Sequence, residues 1–226
     1  MIAADFDQDG DMDYVAGNLG LNSRYQASPK EPVRIYAKDY DRNGRVDPVL
    51  CHYIEGKNYL AHSRDMLIKQ INSMRVRFKT YAEYGNTVFG RSFTKDELSD
   101  AYVLQGKNFA SSYIENLGNG QFAMRALSSA AQVAPIFGML AKDVDGDGNT
   151  DLMMVGNSYS TEIMVGQYDA CKGVVLKGNG KGDFANIPLR QSGFFVDRDA
   201  KALAEIHLGN GQSMYIASRN GDQLKA

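Results

Sequence analysis

The sequence predicts an all-β fold that is interrupted by a mainly helical insertion. Of its 226 residues, 23 are glycine and five are proline, a composition typical of short strands joined by tight turns. One acidic loop recurs three times, and a short apolar run follows each copy. Residues 63–104 lack this pattern. We therefore expect strand-rich segments over residues 1–62, with two of the loops, and 105–226, with the third, and helices between them.

The repeated loop has the pattern D-x-D-x-[DN]-G-x-x-D and occupies residues 5–13, 39–47 and 143–151. Agreement over this pattern three times in one chain indicates internal repeats. The runs that follow the first and third copies, YVAGN and LMMVGN, predict buried strands that end in a turn. A degenerate last repeat is predicted to begin at Val196–Asp199, where the glycine and the later aspartates are missing.

A second recurrent element is an Asn-Gly turn between apolar segments, which is typical of a β-hairpin because both residues tolerate positive φ. It occurs at Leu117–Phe122, Lys177–Phe184 and Leu208–Gln212. Each repeat is therefore predicted to run in the order acidic loop, strand, hairpin, strand.

The segment 63–104 carries helix signals. Leu67, Ile71, Met74 and Phe78 recur at helical spacing and predict one apolar face. Thr94–Glu97 has the sequence of a capping box, which predicts the start of another short helix. We expect these helices to pack on a sheet edge.

The acidic loops are typical of calcium sites, because calcium prefers six to eight oxygen ligands. Side chains at loop positions 1, 3, 5 and 9 and a backbone carbonyl at position 7 can surround one ion, and the glycine at position 6 allows the sharp turn. With oxygen donors only, zinc and copper fit poorly. The predicted metal ligands are Asp5, Asp7, Asp9, Asp11 and Asp13 in the first loop; Asp39, Asp41, Asn43, Arg45 and Asp47 in the second; and Asp143, Asp145, Asp147, Asn149 and Asp151 in the third.

Two other interpretations of the loops must be weighed. An EF-hand has a bidentate glutamate at position 12 and a following helix, whereas position 12 here is Ala16, Leu50 or Met154 and strand-like sequence follows. Alternatively, the loops are merely solvated acidic turns. Carboxylates crowded into nine residues repel one another without a cation, and three copies of the arrangement favour a bound ion.

Composition excludes several classes of function. The formal net charge of −2 provides no basic surface for nucleic acid and no polybasic membrane anchor. No apolar run reaches the length of about 20 residues that a transmembrane helix needs. The first residues, MIAADFDQDGD, do not form a signal peptide. Cys51 and Cys171 either pair or are packed separately, and the sequence leaves both open.

No catalytic motif stands out. The three histidines, His52, His62 and His207, lie in no recognisable metal or triad motif. The nucleophile elbow of hydrolases, the phosphate-binding loop and the dinucleotide fingerprint are absent. We assign no catalytic residue, although the acidic loops would conceal a carboxylate pair of the glycosidase type.

The three loops and the strands that follow them resemble the FG-GAP/VCBS repeats of integrin-α-type β-propellers. The wider sequence is similar to bacterial proteins that resemble cartilage acidic protein and carry ASPIC/UnbV-type regions; the similar segments are residues 111–122, 131–138, 143–157 and 166–170. The resemblance implies a partial β-propeller of about three to four blades with calcium in the blade loops. It also implies an exported or cell-surface location and a role in adhesion or binding, and it transfers no catalytic residue.

The expected function is therefore that of a noncatalytic calcium-binding module that binds an extracellular protein or glycan, within a longer surface protein. Exposed blade edges would then allow self-association. The alternatives are part of a secreted hydrolase that acts on glycans or phospholipid-linked substrates, and a purely structural segment. An acid pair that is not engaged with calcium would favour the hydrolase.

Overall fold

The computed structural model describes residues 1–226, and it confirms that the chain is mostly β. Its fourteen strands form small antiparallel sheets, none of which closes on itself. The chain divides into two units: Met1–Arg24 together with Ala110–Ala226, and Tyr25–Phe109. No helix has the length and hydrophobicity needed to cross a lipid bilayer.

The first unit contains three sheets, which we number by their order along the chain. Sheet 1 has the strand order β1-β2-β7-β8, sheet 3 has the order β9 to β12, and sheet 4 is the pair β13-β14. A 3-10 helix, Ser129–Gln132, and helix α6, Leu189–Ser192, complete this unit. The strands are β1 (Ile2–Ala4), β2 (Asp13–Ala16), β7 (Ser112–Asn116), β8 (Phe122–Ala126), β9 (Ile136–Lys142), β10 (Asp151–Gly156), β11 (Val174–Gly178), β12 (Phe184–Ile187), β13 (Ala200–His207) and β14 (Ser213–Arg219).

Strand β10 is buried along its whole length, because both faces of sheet 3 are covered. Leu152 and Met154 join a core cluster with residues of sheet 1, among them Val15. Met153, on the opposite face, joins a second cluster with residues of sheet 4, among them Leu203. Side chains alternate between the faces of a strand, and the uninterrupted apolar run LMMV is therefore explained by sheet 3 packing between sheets 1 and 4.

All three predicted Asn-Gly hairpins are confirmed: they join β7 to β8, β11 to β12 and β13 to β14. The predicted order of acidic loop, strand, hairpin, strand is found for the loop at residues 39–47, which is followed by β4 (Asp47–Ile54), a turn at Glu55 and Gly56, and β5 (Lys57–Leu60). In sheets 1 and 3 the order differs, because two strands separate the acidic loop from the Asn-Gly hairpin of its sheet. In sheet 3 these strands are β10 and β11, and in sheet 1 they are β2 and β7. In sheet 1 the local sequence does not show this, because the chain leaves the first unit between β2 and β7.

The second unit contains sheet 2, with the strand order β5-β4-β3-β6, and five short helices between β5 and β6. The strands are β3 (Val33–Lys38), β4 (Asp47–Ile54), β5 (Lys57–Leu60) and β6 (Tyr102–Gly106). The helices are α1 (Arg64–Gln70), α2 (Met74–Arg77), α3 (Tyr81–Gly85), α4 (Phe89–Ser92) and α5 (Lys95–Leu98).

The helices cover a face of sheet 2 rather than its edge. Leu67, Ile71, Met74 and Phe78 are all buried, in one cluster with Val49 and other residues of β4. They do not lie on a single regular helix, since α1 ends before Ile71 and α2 begins at Met74. The predicted capping box is present at the start of α5 and satisfies two backbone N–H groups. Cys51 and Cys171 are free and buried, so the disulfide left open by the sequence is not formed.

Candidate functional site

Each acidic loop joins two neighbouring antiparallel strands of one sheet. Loop 1 (residues 5–13) lies between β1 and β2, loop 2 (39–47) between β3 and β4, and loop 3 (143–151) between β9 and β10. The ninth residue of each loop is also the first residue of the second strand, and it is buried. The strand pairing therefore holds one carboxylate of every loop against the sheet.

The three loops share one backbone conformation, with a left-handed residue at positions 4 and 6. At position 6 the φ angles are 95° in Gly10, 83° in Gly44 and 84° in Gly148, values at which a side chain is strained. The left-handed residues at position 4 are Gln8, Arg42 and Gly146, with φ angles of 62°, 61° and 80°.

The same backbone hydrogen bonds recur in all three loops. The N–H of the position 6 glycine donates to Oδ2 of the position 1 aspartate at 3.2, 2.8 and 2.9 Å in loops 1, 2 and 3. The N–H at position 2 donates to Oδ2 of the position 9 aspartate at 3.3, 3.0 and 2.9 Å. The N–H at position 7 donates to Oδ1 of the position 5 side chain at 3.0, 2.9 and 2.9 Å. These bonds turn the side chains at positions 1, 5 and 9 toward the inside of the loop.

In each loop, three of the predicted ligands offer carboxylate oxygens that lie within 4.8 Å of one another. The structure does not bring Asp11, Asp13 or Asp147 into these groups. The backbone N–H at position 7 donates to the position 5 side chain, whereas the backbone carbonyl at position 7 accepts no hydrogen bond within its loop. The converging groups are Asp5, Asp7 and Asp9; Asp39, Asp41 and Asp47; and Asp143, Asp145 and Asp151.

Loop 1 concentrates negative charge without a compensating side chain. Oδ1 of Asp5 and Oδ1 of Asp11 are both buried and accept no hydrogen bond. No basic side chain lies within 4.0 Å of any carboxylate of this loop. Burial, followed by the charges of neighbouring aspartates, raises the pKa of Asp7 and of Asp11. A buried carboxylate oxygen without a partner is costly, and a cation would remove that cost.

Loop 2 is also free of basic side chains within 4.0 Å of its carboxylates. The backbone N–H of Gly44 is the main cause of a lowered pKa at Asp39, which favours its charged form. Burial raises the pKa of Asp47. The amide of Asn43 replaces a carboxylate at position 5 and Arg45 replaces Asp11 at position 7, so loop 2 has three carboxylates where loop 1 has five.

Loop 3 differs because a lysine of the neighbouring strand reaches it. Nζ of Lys177 contacts Asp145 and lies 2.8 Å from Oδ2 of Asp147. This ion pair lowers the pKa of Asp147 to about 2 and raises that of Lys177. Lys177 is not among the residues predicted for the site, because its position just before the Gly-Asn-Gly turn of β11 and β12 does not indicate which side chains it reaches.

A glutamine connects loops 1 and 3 within the first unit. Nε2 of Gln8 donates to the carbonyl of Gly148 and to Oδ1 of Asn149, both at 3.1 Å. Positions 4 of loop 1 and 6 and 7 of loop 3 are therefore in direct contact. This contact was not predictable from the sequence, because Gln8 and Gly148 are 140 positions apart.

The degenerate repeat at Val196–Asp199 does not form a fourth acidic loop of this type. Asp197 pairs with Arg219 at 3.1 Å, and Asp199 pairs with Lys201 at 2.6 Å. Basic side chains therefore already compensate these carboxylates.

The histidines do not assemble a catalytic group. His52 is buried against the ring of Tyr25, and Nε2 of His62 accepts the backbone N–H of Leu50 at 3.3 Å. His207 is exposed, and a single ring nitrogen, Nδ1, lies near both Ser213 and Glu205, so it cannot relay a proton between them.

Comparison with protein-family models, with curated proteins and with solved structures gives no match for this chain. What the loops offer chemically is a set of converging oxygen donors without histidine or thiolate, which suits a hard divalent cation.

Proposed function

We propose that this chain is a noncatalytic calcium-binding module of the FG-GAP/VCBS β-propeller type that binds an extracellular protein or glycan. One observation carries the proposal: three loops, far apart in sequence, adopt the same conformation with the same hydrogen bonds. A common ligand gives all three the same geometric requirement.

Calcium suits the donor set. The loops provide carboxylate, amide and backbone oxygens, and calcium takes six to eight such ligands at flexible geometry. In loop 1, Oδ1 of Asp5 is a buried acceptor that lacks a partner and belongs to a residue of the converging group. When bound, the ion would supply charge neutralisation and a rigid connection between ligands.

The connections of the ninth residue support a structural role for the ion. Oδ1 of Asp13 accepts the backbone N–H of Asn116 at 2.8 Å, and Oδ1 of Asp151 accepts that of Gly178 at 2.9 Å. Asn116 and Gly178 end the third strands of sheets 1 and 3. In loop 3, where Asp151 belongs to the converging group, a bound ion would therefore fix three strands of sheet 3 together. In sheet 1, Asp13 links loop 1 to the third strand without belonging to the converging group.

The arrangement of sheets supports the propeller interpretation. Sheets 1, 2 and 3 are four-stranded and antiparallel, and each carries an acidic loop between two adjacent strands. Sheets 1, 3 and 4 pack in succession within the first unit. A propeller is built from four-stranded antiparallel sheets packed in succession; sheets 1 and 3 are such a pair, and sheet 4 has two strands.

Calcium titration by calorimetry on chelator-stripped protein, with thermal melting in parallel, tests the proposal. About three ions should bind, and the melting temperature should rise, because a ligand specific to the folded state stabilises it. The double variant Asp5→Asn, Asp7→Asn should bind one ion fewer, whereas Asp169→Asn, an exposed aspartate outside the loops, should retain all of them. Binding without stabilisation, or no binding, would refute the proposal. A glycan array and immobilised extracellular matrix proteins, each probed with calcium and with chelator, would then test the class of partner.

A further inference from the structure

The three loops differ in whether a basic side chain contacts their carboxylates, and this difference affects how strongly each loop can bind a cation. In loop 3 the Lys177 ammonium group contacts two of the predicted ligands, Asp145 and Asp147. In loops 1 and 2 no basic side chain lies within 4.0 Å of any carboxylate. Loop 3 is therefore the one acidic loop whose carboxylates form a direct ion pair with a basic side chain.

Lys177 also explains why the carboxylate of Asp147 is not part of the converging group of loop 3. The side chain of Asp147 is held by Lys177 and, through Oδ1, by the backbone N–H of Asn149 at 2.9 Å. In loop 1, by contrast, the position 5 residue Asp9 belongs to the converging group. Lys177 thus holds one potential ligand and neutralises a second.

We propose that Lys177 is an internal competitor for the cation at loop 3, so that this loop binds calcium more weakly than loops 1 and 2 and fills last. The inference rests on the proposed function. The ammonium group occupies Oδ2 of both Asp145 and Asp147 and repels a divalent ion, so calcium binding competes with these contacts. The side chains of the pair are 30–40% exposed, which limits the strength of the competition. Removing the lysine should raise the affinity of loop 3 about tenfold, as expected for the loss of two partly exposed ion pairs.

The same contact should stabilise the calcium-free protein. Without the ion, Lys177 is the cation that reduces repulsion among the carboxylates of loop 3. Its removal should lower the melting temperature of the chelated protein and leave that of the calcium-saturated protein nearly unchanged. A surface lysine with no role in the site would change neither.

A calcium titration followed by two-dimensional NMR measures each loop separately. The amide N–H groups of Gly10, Gly44 and Gly148 donate to the position 1 aspartates, so each reports on its own loop. The variants are Lys177→Met and the control Lys181→Met, which removes the same charge from an exposed site in the same hairpin. In the wild-type protein the Gly148 signal should respond last.

The outcomes separate the inference from the proposed function. A Gly148 response that moves to about tenfold lower calcium in Lys177→Met, but not in Lys181→Met, supports the competition. If Gly10 and Gly44 respond while the Gly148 midpoint is the same in all three proteins, the competition is overturned and calcium binding stands. If no glycine signal responds to calcium in the wild-type protein, the proposed function fails, and the inference fails with it.

Discussion

The Tyr113 hydroxyl donates a 2.6 Å hydrogen bond to Oδ2 of Asp13, although the two residues are 100 positions apart in sequence. Asp13 is the ninth residue of loop 1, and Tyr113 lies on β7, the strand that pairs with β2. Both side chains are buried. Burial, and then the hydrogen bond to the carboxylate, raise the pKa of Tyr113, so its hydroxyl remains a donor. Loop 1 is thus positioned by a residue outside the repeat.

Replacing Tyr113 by phenylalanine should destabilise the protein by about 1–3 kcal/mol, because a buried carboxylate loses a donor. The midpoint of denaturant unfolding measures this change, and calorimetry should show weaker binding of one calcium ion. Tyr102→Phe is the matched control, since Tyr102 is exposed on β6 and should have little effect. Equal stability of the two variants would contradict the positioning role.

Replacing Gly44, the position 6 glycine of loop 2, should destabilise the protein only through the backbone conformation that this position requires. Gly44 has a φ angle of 83°, and a Cβ atom there would meet no heavy atom within 4 Å. Gly44→Ala should therefore cost about 1 kcal/mol from the left-handed backbone, and more in the presence of calcium if the turn of loop 2 relaxes. Gly90→Ala is the control, because Gly90 is exposed in helix α4 and also has open space around its Cβ position. It should be neutral or stabilising, and a loss as large as that of Gly44→Ala would contradict the explanation.

The ion pair between Arg77 and Glu97 should make stability depend on pH. Two hydrogen bonds of 2.8 and 3.0 Å from Arg77 are the main cause that lowers the pKa of Glu97 to about 2. Because the folded-state pKa lies below the ordinary value, the charged carboxylate stabilises the fold above about pH 4.5. This contribution is lost as the pH falls toward 2.

Glu97→Gln should lower the free energy of unfolding by about 1 kcal/mol at pH 7, a value reduced by the partial exposure of the pair. The difference from the wild-type protein should vanish near pH 2, and urea unfolding at several pH values measures it. Because glutamine at this position also completes a capping box, the substitution keeps the cap and removes only the charge. Glu83→Gln is the control, because Glu83 forms the same box in α3 and no ion pair. A difference that persists at pH 2 would show that the charge is not responsible.

The two cysteines should be unreactive in the folded protein. Cys51 and Cys171 are completely buried, and burial raises the pKa of both thiols. Since the thiolate is the nucleophile, a thiol reagent should label them only when the structure opens, and chelation of calcium should accelerate labelling. Rapid labelling of both thiols in calcium-saturated protein would contradict this prediction.

The sequence predicted the parts of the site that are encoded locally. The ligand spacing and the glycine at position 6 lie within nine residues, and the structure brings three carboxylates together in each loop. The hairpins were predictable for the same reason, because a turn needs only its own residues. The helical spacing correctly predicted the burial of Leu67, Ile71, Met74 and Phe78. The single regular helix that the same spacing suggests is not formed, since α1 ends before Ile71.

Features that depend on distant pairing were not predictable. Nothing near Asp13 indicates that its partner is Tyr113, and the contact of Gln8 with loop 3 depends on how sheets 1 and 3 pack. Lys177 was visible as a charged residue, but its target was not. A pattern along one chain shows which residues are apolar or acidic, but the partner of each side chain is set by the packing of separate strands.

The interruption of sheet 1 has a consequence for how the protein is made. Strand β2 emerges from the ribosome early, whereas β7 and β8 follow only after Tyr25–Phe109 has been synthesised. A chain that must close a span of this length forms its contacts slowly. Collapse of the intervening unit into its own sheet and helices would shorten the effective span. The inner unit, Tyr25–Phe109, should then fold before the outer one is complete. In nascent chains truncated after Phe109, the inner unit should resist proteolysis while Ile2–Ala16 remains cleavable.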